Sequence, residues 1–137
     1  MIVRDIKELK GTEREVQGQG WTSTRLLLKK DGMGFSMHET IIPEGEGLTF
    51  HYKNHQEAVY CISGEGTLHD LEQDKIFPIT PGIIYALNNH DKHILTATKE
   101  LRLVCVFNPP VTGSETHDAD GAYPLVQEEE VIHAKAV

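Results

Sequence analysis

Apolar residues recur along the chain in short alternating or continuous runs and seldom at helical spacing. The runs are WTSTRLLLKK, GFSMHETII, LTFHYKN, EAVYCIS, GTLHDL, KIFPI, GIIYAL, HILTAT and LRLVCVFN. Turn residues separate them at Asp31-Gly32, Pro43-Glu44-Gly45, Gly64-Glu65-Gly66, Thr80-Pro81-Gly82 and Asn88-Asn89. Many short strands at a spacing of roughly 8–12 residues predict an all-β sandwich or small barrel. Helical patterning is weak, with one candidate turn near DIKELKG. The final stretch, QEEEVIHAKAV, loses the alternation and carries three adjacent Glu. Residues 1–126 are therefore expected to form one domain, with 127–137 an acidic, loosely held tail.

Composition narrows the functions. A chain of 137 residues is one domain's worth and long enough to bury a core without staples. Its 13 Lys and Arg against 21 Asp and Glu give a net charge of −8, with no basic stripe. Nucleic acid and anionic membranes are poor partners for such a surface. The opening MIVRDIKELKGTEREV mixes charges throughout, and no window approaches a membrane span, so a cytoplasmic location is expected. Cys61 and Cys105 each sit inside an apolar run and read as two buried thiols.

Two segments carry chemistry. Gly45, His51, Lys53, Glu57 and Gly64 are spaced in a way that resembles the first motif of the cupin family, with Lys53 where a second His is usual. Gly82, Tyr85 and Asn89 resemble the second motif, with Tyr85 in the place of a His. The two departures remove two of the four usual metal ligands, so the metal is either lost or held by a different set. In LTFHYKN, strand alternation puts Leu48, Phe50 and Tyr52 on one face and His51 and Lys53 on the other. With the apolar face inward, His51 points away from a central metal. IIYALNNHDKHIL reads as a hairpin around Asn88 to Asp91 that sets Tyr85 opposite His93 on neighbouring strands. Glu57 joins them from its own strand. Taken singly, such a Glu is usually solvated, such a Tyr is core and such a His is surface. Together, carboxylate, phenolate and imidazole suit iron and leave positions open for substrate.

The strings NHQEAVYCISGEG, PGIIYALNNHDKHILTA, RLVCVFNPPVTGSETHDADGAYP and GWTSTRLLLKKDGMGFSMHET resemble the ectoine synthase family of cupins, over about residues 1 to 126. The resemblance implies a single-domain, jelly-roll-like cupin barrel with little helix. It implies an Fe(II)-dependent cyclo-condensation of N-γ-acetyl-L-2,4-diaminobutyrate to the compatible solute ectoine, with loss of water. It implies Glu57, Tyr85 and His93 as iron ligands, and a homodimer. MIVRDI is an alternating segment able to pair with an exposed edge strand.

Carried onto this chain, the family's substrate cavity takes Trp21, Ser23, Arg25, His38, Thr40, Tyr52, His55, Phe107, Glu115 and His117. Strand parity supports part of this set: Trp21, Ser23 and Arg25 share one face, and His38 and Thr40 share another. Arg25 or Thr40 is expected to hold the substrate carboxylate, and Glu115 with His117 to place the amine. Tyr52, Glu115 and His117 are the catalytic candidates. The proton acceptor stays open among His117, Tyr52 and a metal-bound hydroxide. Residues 111 to 121, rich in Pro, Gly, Ser and Thr, are expected to form a loop that closes as a lid. The competing readings are an iron-dependent cupin dioxygenase and a non-enzymatic small-molecule-binding cupin.

Overall fold

A computed structural model describes residues 1–113. It contains one short helix, α1 (Ile6–Leu9), one 3-10 turn (Lys29–Asp31) and eight strands. The strands are β1 (Glu15–Gly18), β2 (Trp21–Leu27), β3 (Ser36–Ile42), β4 (Leu48–Phe50), β5 (Gln56–Asp70), β6 (Lys75–Ile79), β7 (Ile84–Ala86) and β8 (His93–Asn108). All pair antiparallel in the order β1-β2-β3-β8-β5-β6, with β4 added to β8 and β7 to β5. The all-β expectation holds. Asp5 caps the helix by accepting from the Lys7 N–H. No helix among the described residues is long and apolar enough to cross a membrane.

Alternation decides which side chains are buried. Trp21, Ser23 and Arg25 on β2, Ser36, His38 and Ile42 on β3, and every second residue of β8 from Leu101 to Phe107 turn inward. They join Phe50, Tyr52, Val59, Leu95 and Ile79 in one core. Cys61 and Cys105 are both free and buried there, as expected.

Two expectations change. Gly64-Glu65-Gly66 is not a turn: EAVYCIS and GTLHDL are halves of the single strand β5, and HILTAT and LRLVCVFN are halves of β8. The pairing of β5 with β8 is irregular between Cys61 and Gly66, which makes the glycine pair a bulge. Gly64 has φ +96°, and a Cβ there would lie 2.0 Å from the Glu100 carbonyl oxygen. Second, EVQG forms β1, which shows no apolar alternation and exists through its hairpin with β2. A Cβ on Gly18 would lie 2.1 Å from the Trp21 ring, so this glycine makes room for Trp21 to pack inward.

What ties the N-terminal segment down is charge. Asp31 accepts a forked pair of bonds from Arg4, at 2.8 and 3.2 Å, and another from Arg14 at 3.2 Å. It also accepts from the Leu28 N–H. The Arg4 guanidinium foremost holds the Asp31 carboxyl well below the usual carboxylate range.

Two outcomes follow for stability. Gly64→Ala combines a left-handed backbone with a backbone collision, and should lower unfolding free energy by about 3 kcal/mol in a denaturant titration. Asp31 is depressed on folding, so its contribution is full above a pH of about 4 and is lost as pH falls further. Thermal melts should therefore show Asp31→Asn well below wild type at pH 7, with the gap narrowing at pH 3.

Candidate active site

One cavity in the sheet's interior is lined by Glu57, Tyr85 and His93 together with Trp21, Ser23, Thr40, Tyr52 and Phe107. Eight of the expected side chains thus meet at one place. Glu57 stands near the start of β5, opposite Phe107 of β8. Tyr85 is the middle residue of β7, and His93 opens β8. The expected Tyr85–His93 hairpin does not form: β7 pairs with β5, at Val59, and not with β8. The two rings still meet, at a centroid separation of 6.1 Å, although Tyr85 is in register with Val59 and His93 with Asp70 at the other end of β5, so it is the curling of the sheet around the cavity that brings them together. The turn before β7 is built by Thr80-Pro81-Gly82, where the Ile83 N–H donates to the Thr80 carbonyl and Gly82 takes φ +96°.

Hydrogen bonds settle the state of His93. Its Nδ1 lies 2.9 Å from the Asp91 carbonyl oxygen, which can only accept. Nδ1 therefore carries the proton, and burial lowers the ring's pKa, so Nε2 keeps its lone pair. An imidazole fixed this way through its other nitrogen is the arrangement metal ligands use. Burial raises the Glu57 pKa to about 8, and its carboxyl is hydrogen-bonded with the Cys105 thiol. Burial, and then the Glu57 charge, push the Tyr85 phenol well above its ordinary value. Without a cation all three groups are thus neutral at pH 7. A bound cation reverses that balance, because it favours carboxylate and phenolate. Among the described residues, no three His, Cys, Asp or Glu side chains gather into a metal site. With the Tyr85 oxygen, the Glu57 and His93 side chains offer an oxygen, oxygen, nitrogen donor set that would fit a borderline-hard ion such as iron.

The rest of the cavity mixes aromatic side chains with aliphatic and small polar ones. Tyr52 meets Phe107 edge-on at 5.1 Å and stacks against Phe50 at 6.0 Å. His38 lies 5.0 Å from Phe107, with its Nδ1 3.3 Å from Ser23 Oγ, and His55 meets Phe107 edge-on at 5.9 Å. His38, His55 and Arg25 are buried next to the cavity without lining it. Arg25 donates to the Gly113 carbonyl at 2.6 Å. His51, as expected, does not line the cavity. Glu115, His117 and most of the 111–121 loop lie outside the described residues.

The model of the ectoine synthase family matches residues 1–127. The chain belongs to the ectoine synthase family. It is an enzyme, a carbon–oxygen lyase of the hydro-lyase class that forms ectoine. L-ectoine synthase of Desulfosudis oleivorans is 63% identical over 93% of this chain and 100% of the relative. The crystal structure of ectoine synthase from P. lautus superposes with a TM-score of 0.83 at 51% identity, covering 92% of this chain and 91% of that one. An RmlC-like cupin from Shewanella frigidimarina shares the fold, with a TM-score of 0.57 at 21% identity over 69% of this chain and 81% of its own. The cupin reading of the fold is borne out, and the non-enzymatic reading is set aside.

Sequence reasoning missed Phe50 and Cys105 as cavity residues. Cys105 carried a usable signal, since it alternates with Phe107 in LRLVCVFN, but an apolar setting made it look inert. Its thiol lies 3.5 Å from Thr40 Oγ1, so it joins Glu57 to the β3 wall.

In metal-free protein the raised Glu57 pKa makes folding bind a proton that the unfolded chain releases above a pH of about 4. Its burial is tolerated below that pH and becomes progressively destabilising as pH rises toward 8. Glu57→Gln should therefore melt at or above wild type at pH 8 in metal-free samples, checked by differential scanning calorimetry.

Proposed function

We propose that the chain cyclises N-γ-acetyl-L-2,4-diaminobutyrate to ectoine with Fe(II) held by Glu57, Tyr85 and His93. The observation that carries this reading is the convergence of those three donors, from three separate strands, on a cavity whose remaining wall is largely apolar, with Ser23, Thr40 and the Tyr52 hydroxyl among its polar groups. When bound, the ion supplies Lewis-acid polarisation of the substrate's amide carbonyl.

The chain's own residues do the rest. The cavity encloses a flexible substrate whose α-nitrogen must reach its own acetamide carbon. Trp21, Phe50, Tyr52 and Phe107 give that substrate apolar walls that favour a folded conformation and exclude water. Thr40 offers its hydroxyl to the carboxylate. Arg25, fully buried beside His38, supplies positive charge from the same wall. The α-amine loses a proton as its nitrogen bonds to the carbonyl carbon. Tyr52 lines the cavity and is the candidate acceptor among the described residues. That bond closes the ring; the former carbonyl oxygen takes up the amine's proton and a second one from a ring nitrogen and leaves as water, which makes the ring a cyclic amidine. Glu115 and His117 are assigned to placing the amine, with residues 111–121 as a closing lid. The reading extends to a cytoplasmic homodimer that makes ectoine for osmotic protection, with residues 1–126 as its catalytic domain.

The test is an anaerobic NMR assay of metal-stripped protein before and after Fe(II) is resupplied. Ectoine is expected with iron alone, and oxygen uptake is expected to be absent. Tyr85→Ala and His93→Ala should each lose bound iron, by metal analysis, and at least a hundredfold in turnover. Full iron and full turnover in either variant would remove that residue from the ligand set.

A further inference from the structure

His90 stands out in backbone and side chain together. Its φ is +55°, the left-handed region that Gly or Asn occupies more readily. Its Nδ1 lies 2.8 Å from the Tyr52 carbonyl oxygen and 3.1 Å from that of His55. Both partners can only accept, so Nδ1 carries the proton and one N–H bridges two carbonyls. These carbonyls belong to the segment between β4 and β5, which presents Tyr52 to the cavity and packs His55 against Phe107.

The same turn serves the other side of the cavity. The Asp91 carbonyl, one residue on, accepts from His93 Nδ1. The Asn88 carbonyl accepts from the Gln56 amide next to Glu57, and the Lys92 carbonyl from the Leu71 N–H. Asn89 donates its N–H to the Asp91 side chain, which shapes the turn itself. Residues 88–92 are thus tied to the elements carrying Glu57, Tyr52, His55 and His93. Of these ties, the His90 side chain is the one that reaches the Tyr52–His55 segment.

From this geometry we infer that His90 is a positioning residue that clamps the Tyr52–His55 segment to the turn preceding His93. A costly backbone conformation persists where surrounding contacts enforce it, and here the side chain's two carbonyl contacts supply that enforcement. The clamp sets the distance between the substrate-facing Tyr52 and the metal-facing His93. Its effect on turnover rests on the role proposed above for Tyr52, whereas the clamp itself rests on geometry alone.

Glycine at this position separates the two features, since it accepts positive φ and removes the imidazole. His90→Gly should keep its melting temperature within a few degrees of wild type and keep its iron content. Amide hydrogen exchange at residues 52–56 should rise at least tenfold, and kcat/KM should fall about tenfold. His90→Asn places an amide nitrogen where Nδ1 stands and tolerates positive φ, so it should recover most of both losses. His90→Gln places its donor one atom farther out and should not. Wild-type exchange and kcat/KM in His90→Gly would overturn the inference, and so would equal behaviour of the Asn and Gln variants, which decides the matter even where the Gly variant fails to fold. Absence of ectoine from the iron-loaded wild type would overturn the proposed function instead, and the exchange comparison would still test the clamp.

Discussion

Gly64 passes so close to the Glu100 carbonyl that no side chain fits between them, and at this crossing β5 changes the parity of its inward-facing residues. Before the bulge, Glu57, Val59 and Cys61 are buried; after it, Gly66 and Leu68 are. A strand slipped by one residue exposes its whole buried set. Without the bulge, β5 could bury one half of itself correctly and not the other. With it, the first half of β5 receives β7 and the second receives β6, while β8 runs along the whole opposite side. Glu57, Tyr85 and His93 come from the three strands that this arrangement holds together.

The cavity concentrates groups that resist ionising there. Burial raises the pKa values of Glu57, Tyr85 and Cys105 and lowers that of His93. These shifts make the protein bear little local charge in a low-dielectric space, at the cost of holding polar groups away from water. They also mean that a cation entering the cavity would displace protons from Glu57 and Tyr85, which makes its affinity pH-dependent. The aromatic walls from Phe50, Tyr52 and Phe107 add apolar contact without adding charge.

Much of the site was legible because strand alternation is a strict rule. The parity of Trp21, Ser23 and Arg25, and of His38 and Thr40, predicted one inward face on each of β2 and β3, and that is where they lie. Parity in LTFHYKN likewise separated Phe50 and Tyr52 from His51. It did not distinguish cavity-lining residues from those one layer back, such as His38, His55 and Arg25, because that depends on how side chains from other strands fill the space. The hairpin expected around Asn88 failed for a related reason. A turn signal shows where the chain reverses, but β7 found its hydrogen-bonding partner in β5.

The sequence by itself determined that the chain is all-β and acidic, which side chains of β2 and β3 share an inward face, and which family the chain resembles. Those properties reside in local alternation, composition and motif spacing. Tertiary structure decided that Gly64-Glu65-Gly66 is a bulge inside a long strand, that a polar EVQG segment pairs as β1, and that Tyr85 meets His93 although the two lie in register with opposite ends of β5. It also decided that His90 spans two loops. Each of these depends on backbone groups meeting partners distant in the chain, and hydrogen-bond satisfaction between distant segments leaves little mark on the local pattern.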